Sequence, residues 1–148
     1  MSDMKVKGHW WIKVYGPSGE LKTERDGDNV VTDVGKEFLA SFLKSAAAAA
    51  STFTCKYVAV GTNTTSEAAS NTALGTELAR HTGTVSYVSN AIFKVTATFP
   101  TGSVVGAVAE YGLLSSSNAG TLFARDTEAV INVGASDNMT VVAQITYS

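Results

Sequence analysis

Between residues 92 and 99 apolar and polar side chains alternate without a break, with Phe93, Val95, Ala97 and Phe99 on one side and Lys94, Thr96 and Thr98 on the other. A strand, whose successive side chains point to opposite faces, sorts such a run into one buried and one wet face. The same period recurs at residues 9–15, where Trp10, Ile12 and Val14 oppose His9, Trp11, Lys13 and Tyr15. It returns at residues 139–147, with Met139, Val141, Ala143, Ile145 and Tyr147 as the inner set. Three half-buried strands in one chain call for an antiparallel sheet with a shared apolar interior.

Turn chemistry places the remaining elements. Gly16-Pro17-Ser18-Gly19 turns the first strand into the alternating stretch Glu20 to Arg25, a hairpin that Asp26-Gly27-Asp28-Asn29 is expected to end. A helix over about residues 34–45 follows, because Thr32 or Asp33 can cap it, Glu37 suits its positive end and Lys44 its negative end. Val34, Phe38 and Phe42, with Leu39 and Leu43 beside them, make its apolar face, and Ala46 to Ala50 read as a frayed end or loop.

Cys55 to Val60 is a short strand that stops at Gly61, before a polar loop through Asn71. A second hairpin joins Thr84 to Val88 with Ile92 to Phe99. Val104 to Leu114, apolar on both faces apart from Glu110, reads as a central strand paired with Thr121 to Ala124. Val130 to Val133 and Met139 to Tyr147 form a fourth hairpin. The expected fold is mainly β, an antiparallel β-sandwich or barrel with one short α-helix, in a single domain over residues 1–148. Residues 1–8 are expected to be a flexible arm that reaches a neighbour.

Composition narrows the function classes. A chain of 148 residues can bury one sizeable core. Its charged share of 16% is well below the roughly 25% of ordinary domains, and Ser and Thr make up the difference. Hydroxyl-rich surface is cheaper to desolvate than ionic surface, which suits close contact with other protein. The net charge of −2 speaks against nucleic acid as a partner. No apolar run approaches the roughly 20 residues that span a bilayer, so no membrane role is expected, and synthesis in a host cytoplasm is.

Material for chemistry is scarce. His9 and His81 are the only histidines and Cys55 the only cysteine, too few for a catalytic triad, a zinc site or a disulfide. Asp26, Asp28 and Glu37 have the spacing of a calcium loop, but Val30 and Val31 occupy places that need an oxygen ligand and a glycine. No catalytic residue, cofactor or metal is expected.

Glu110 needs a partner in an apolar strand, and Arg80 and Arg125 are the candidates, inside the fold or across a subunit boundary. Otherwise its side faces water. Trp11 is either an interface anchor or a second core residue under the helix. Trp11, Glu110, Arg80 and Arg125 are therefore the candidate interface residues.

The order of features extends these readings. A tryptophan-bearing hairpin precedes Asn29-Val30-Val31-Thr32-Asp33-Val34-Gly35-Lys36, then Tyr57-Val58-Ala59-Val60-Gly61-Thr62, Thr72-Ala73-Leu74-Gly75, Glu110-Tyr111-Gly112-Leu113 and Ala124-Arg125-Asp126. Over nearly the whole chain this resembles small virion structural proteins of tailed phages, of the head decoration and tail-associated kinds. The resemblance implies a β-sandwich that forms a homo-oligomer, often a trimer, and fastens to a major capsid protein lattice or a tail, without catalytic residues. Capsid decoration (a cement protein on the virion surface) is the favoured role, because the chain shows neither repeats nor a long coiled coil. Tail-fibre or baseplate attachment is the alternative, as is a carbohydrate-binding host-recognition module using residues 61–72.

Overall fold

A computed structural model describes residues 5–44, 55–89 and 92–147. The strands are β1 (Val6–Tyr15), β2 (Leu21–Val31), β3 (Tyr57–Gly61), β4 (Glu77–Thr82), β5 (Thr84–Ser89), β6 (Ile92–Phe99), β7 (Gly106–Leu114), β8 (Leu122–Val133) and β9 (Asn138–Tyr147), with helix α1 (Asp33–Lys44) after β2. All pairings are antiparallel, in the order β4-β3-β7-β8-β2-β1-β9-β6-β5. The molecule is mainly β, with one short helix and a sheet nearly closed into a barrel.

Closure depends on one residue. The edge strand β4 leads through Gly83 into β5, the strand at the opposite edge, so the sheet must curl until its ends meet. The Gly83 N–H donates to the Lys56 carbonyl at 2.6 Å, and a Cβ on Gly83 would stand 2.5 Å from Val95 Cγ1. Only a residue without a side chain fits between β3 and β6 at this corner. A curled sheet gives every strand one face toward a common interior, which Trp10, Ile12, Val14, Val95, Ala97, Phe99, Met139, Val141, Ala143 and Ile145 fill as the alternation predicts. Burying each large side chain contributes roughly 1.5–3 kcal/mol.

Helix α1 rests on β8 with Phe38 and Leu39 against the core. Thr32 caps it: its hydroxyl accepts the Gly35 N–H at 3.0 Å and donates to the Leu122 carbonyl. The placement expected for Ala46 to Ala50 lies outside the described residues.

Several expectations are corrected. Val6 to Gly8 belong to β1, paired with β9 from Val6↔Tyr147 onward, so they are no arm; residues 1–4 lie outside the described residues. Asp26-Gly27-Asp28-Asn29 does not end the first hairpin, because β1 continues and offers Trp11, Trp10, His9 and Gly8 as ladder partners. β4 was not expected, since Glu77 to Thr82 shows no apolar alternation; its place is set by pairing with β3.

The fourth hairpin is absent. The two runs expected at Thr121 to Ala124 and Val130 to Val133 are one strand, β8, whose polar middle pairs with β7. β8 and β9 are then separated in the sheet by β1 and β2. The turn between them crosses the end of the first hairpin, where Lys22 Nζ lies 3.0 Å from both carboxylate oxygens of Asp137.

Candidate functional site

The loop of residues 62–76 lies over the outer face of β3, β7 and β8, so this part of the sheet is covered on both sides. Strand alternation puts Glu110 on that face of β7, opposite Gly61 of β3 and Thr127 of β8. Arg125 reaches the same face from β8, two ladder steps along, opposite Gly112. The two meet with Arg125 Nη2 at 3.0 Å and Nε at 3.2 Å from Glu110 Oε2. Glu110 is 0% exposed and Arg125 2%. Of the two settings expected for Glu110, the interior holds, with Arg125 as partner.

The remaining hydrogen bonds of the pair go to the loop. Glu110 Oε2 accepts the Gly75 N–H at 2.8 Å and Oε1 that of Thr76 at 2.7 Å, with Asn63 N–H at 3.4 Å. Arg125 donates to Asn71 Oδ1 at 3.1 Å and to the Thr65 carbonyl at 2.9 Å. Buried charge is tolerable only when its donors and acceptors are satisfied in this way. Leu74 adds an apolar plug over Ala59, Leu114 and Leu122, a second small core outside the main one. Gly61 makes room, since a Cβ there would stand 2.3 Å from the Thr76 carbonyl oxygen and 2.4 Å from Glu110 Oε1.

The loop also braces itself. Asn63 Oδ1 accepts from Thr65 N, Asn71 Oδ1 from Ala68 N, and the Ala69 carbonyl accepts the Asp33 N–H at the start of α1, each at 2.8 Å. Glu67 bonds the Thr127 hydroxyl. What the loop shows outward is Thr64, Thr65, Ser66, Ala68, Ala69, Ser70, Thr72 and Ala73, exposed and uncharged.

Arg80 does not join Glu110. It pairs with Glu77 at 2.6 Å and donates to the Ser116 and Ala119 carbonyls at 2.8 Å, holding the neighbouring turn, where Ala119 takes a left-handed φ of 53°. Trp11 lies on the outward face of β1, not under the helix. His9 stands 4.6 Å from its ring, edge-on, and Lys94 Nζ is 5.4 Å from the ring centre. His9 Nδ1 meets Asp28 at 2.7 Å and Nε2 meets Asp26 at 3.0 Å. Hydrogen bonding by Asp28 outweighs desolvation and holds the imidazole above its ordinary pKa of 6.5.

Asn63, Thr65 and Asn71 as partners of the ion pair, and Asp126 and Glu128 on β8, were not singled out from the sequence. The pairing of Asp26 and Asp28 with the Trp11 and His9 segment was not read from the sequence either, because a register shift between Val14 and Tyr15 displaces any count back from the Gly16 turn. Cys55 is half-buried against the core, and desolvation pushes its thiol up to about 12, which suits a packing role. Among the described residues no cluster of three or more His, Cys, Asp or Glu side chains could hold a metal ion. The chain matches no protein-family model, no curated protein and no solved structure.

Proposed function

We propose that this chain is a non-enzymatic structural protein of a tailed-phage virion, a decoration protein that binds the mature capsid as a homo-oligomer and stabilises it. The observation that carries the reading is the pinned loop. Glu110 and Arg125, the most deeply buried ion pair among the described residues, hold residues 62–76 in one shape and leave an uncharged Ser, Thr and Ala surface outward. Such a surface costs little to desolvate, and fixing it beforehand lowers the entropy cost of docking. Many weak contacts of this kind add on a repeating lattice, and preference for the assembled shell over its parts stabilises the shell. The phage setting is supported by the resemblance across the strand and loop motifs.

Mixing purified protein with undecorated shells and with tails, then imaging both, tests the proposal. Occupancy on shells at repeating positions is expected, weakened by charge placed on the loop as Thr65→Asp or Ser70→Asp. Binding only to tails would move the role to attachment. Glycan binding by the isolated protein with neither shell nor tail occupancy would replace it with host recognition through the same loop.

A further inference from the structure

Consecutive residues of β8 treat buried charge in opposite ways. Arg125 faces outward and is neutralised by Glu110, whereas Asp126, paired across the ladder with the core residue Tyr111, is 0% exposed, and neither of its carboxylate oxygens meets a donor in full hydrogen-bond geometry, the Thr127 N–H acting on it only weakly. The groups around it make matters worse. Glu128 is two residues along the same strand, on the same face, and Glu67 approaches from the loop. Tyr111 faces it from β7, and Asp26 of β2 adds negative charge near Glu128.

Two cations act on this pocket from a distance, Arg25 on Tyr111 and His9 on Glu128, but their hydrogen bonds go to other groups. Arg25 of β2 directs Nη1 to the Glu24 carbonyl at 2.8 Å, and His9 of β1 sits between Asp26 and Asp28. Ionising the buried Asp126 beside the half-buried Glu128 carboxylate is costly, but one proton between them turns repulsion into a hydrogen bond. An Asp126 O–H donating to Glu128 accounts for oxygens that no other side chain meets. Burial first, and then Glu128, push the Asp126 carboxyl up to about 9, against a smaller opposing effect of the Thr127 N–H.

The location gives the pair its consequence. The Glu128 carboxylate rests on Gly27 of β2, where a Cβ would stand 1.7 Å from Oε1, so it bridges β8 to β2. That seam is weakly laddered, with β2 and β8 in register only at Val30↔Arg125 and Val31↔Ala124, whereas β1 is paired with β9 along its whole length.

We propose that Asp126 and Glu128 form a proton-held latch on the β2–β8 seam, closed while they share one proton and released, with that proton lost to solvent, when both ionise. In the unfolded or opened chain Asp126 titrates near 3.8, and in the closed one at about 9. Between these values the open state has given up a proton that the closed state keeps. The latch therefore contributes fully below pH 3.8, and its contribution drains away as pH rises through about 9.

Hydrogen exchange of the Val30, Val31 and Thr32 amides, at the β2–β8 contact, is measured from pH 5 to 9 alongside urea unfolding and corrected for intrinsic rates. In the native chain the opening equilibrium is expected to grow by up to about tenfold per pH unit. Asp126→Asn, which keeps a donor toward Glu128 but cannot ionise, is expected to flatten both curves. Glu128→Gln removes the neighbouring charge and offers a donor to an ionised Asp126 while burial remains, and is expected to end the slope at a lower pH than in the native chain, which serves if the first variant does not fold. A native slope sustained up to pH 9 in either folded variant overturns the latch, as does a native chain whose seam amides do not respond to pH.

Discussion

Glu110 and Arg125 form an ion pair whose two arginine donors both reach one carboxylate oxygen, at 3.0 and 3.2 Å, behind a loop that takes up the rest of their hydrogen-bonding capacity. The charge is internal, so its removal should be felt in the loop before it is felt anywhere on the surface.

Glu110→Gln leaves Arg125 buried without a counter-charge, and a loss of about 3–5 kcal/mol is expected in urea unfolding. Limited proteolysis should cut first within residues 62–76. The double variant Glu110→Leu, Arg125→Met should recover much of the stability but not the protection of the loop, since apolar replacements restore packing and not the contacts to Gly75, Thr76 and Asn71. Unchanged stability of Glu110→Gln would contradict the structural role given to the pair.

Gly61→Ala adds one methyl group where the nearest atoms are 2.3 and 2.4 Å away, one of them a backbone oxygen of the loop. The loop has to lift to admit it. A cost of about 1–3 kcal/mol is expected. It should be smaller when introduced together with Glu110→Gln, because the loop is then already loosened. Equal costs in both backgrounds, read from a double-mutant cycle, would show that Gly61 and Glu110 act separately.

His9 is expected to titrate above 6.5 in an NMR pH series, and to move back toward that value in Asp28→Asn more than in Asp26→Asn, since Asp28 is the largest cause of its shift. The pKa is raised by folding, so the stabilisation is complete below pH 6.5 and is lost as pH climbs through the folded value. His9→Gln should remove that dependence. It should leave the Trp11 fluorescence of the native chain insensitive to pH in the same range.

Much of the apolar interior is written in local patterns of the chain. Period-2 alternation is a local property of the chain, and in β6, β9 and β1 from Trp10 onward the inward residues were legible because a strand has no other way to divide its side chains between water and core. The helix was equally local, with Thr32 as its cap and Phe38 and Leu39 on its buried side.

Which strands are neighbours and which charges meet is set by the folded sheet. β8 and β9 adjoin in the chain yet are parted by the first hairpin, and β4 and β5 reach opposite edges across a single glycine. Arg125 was chosen over Arg80 for Glu110 because the β7–β8 register sets it two steps away on the same face, while β4 carries Arg80 to another turn. Pairing across a sheet depends on closure, and closure is decided by the packing of the whole interior; no window of sequence contains it.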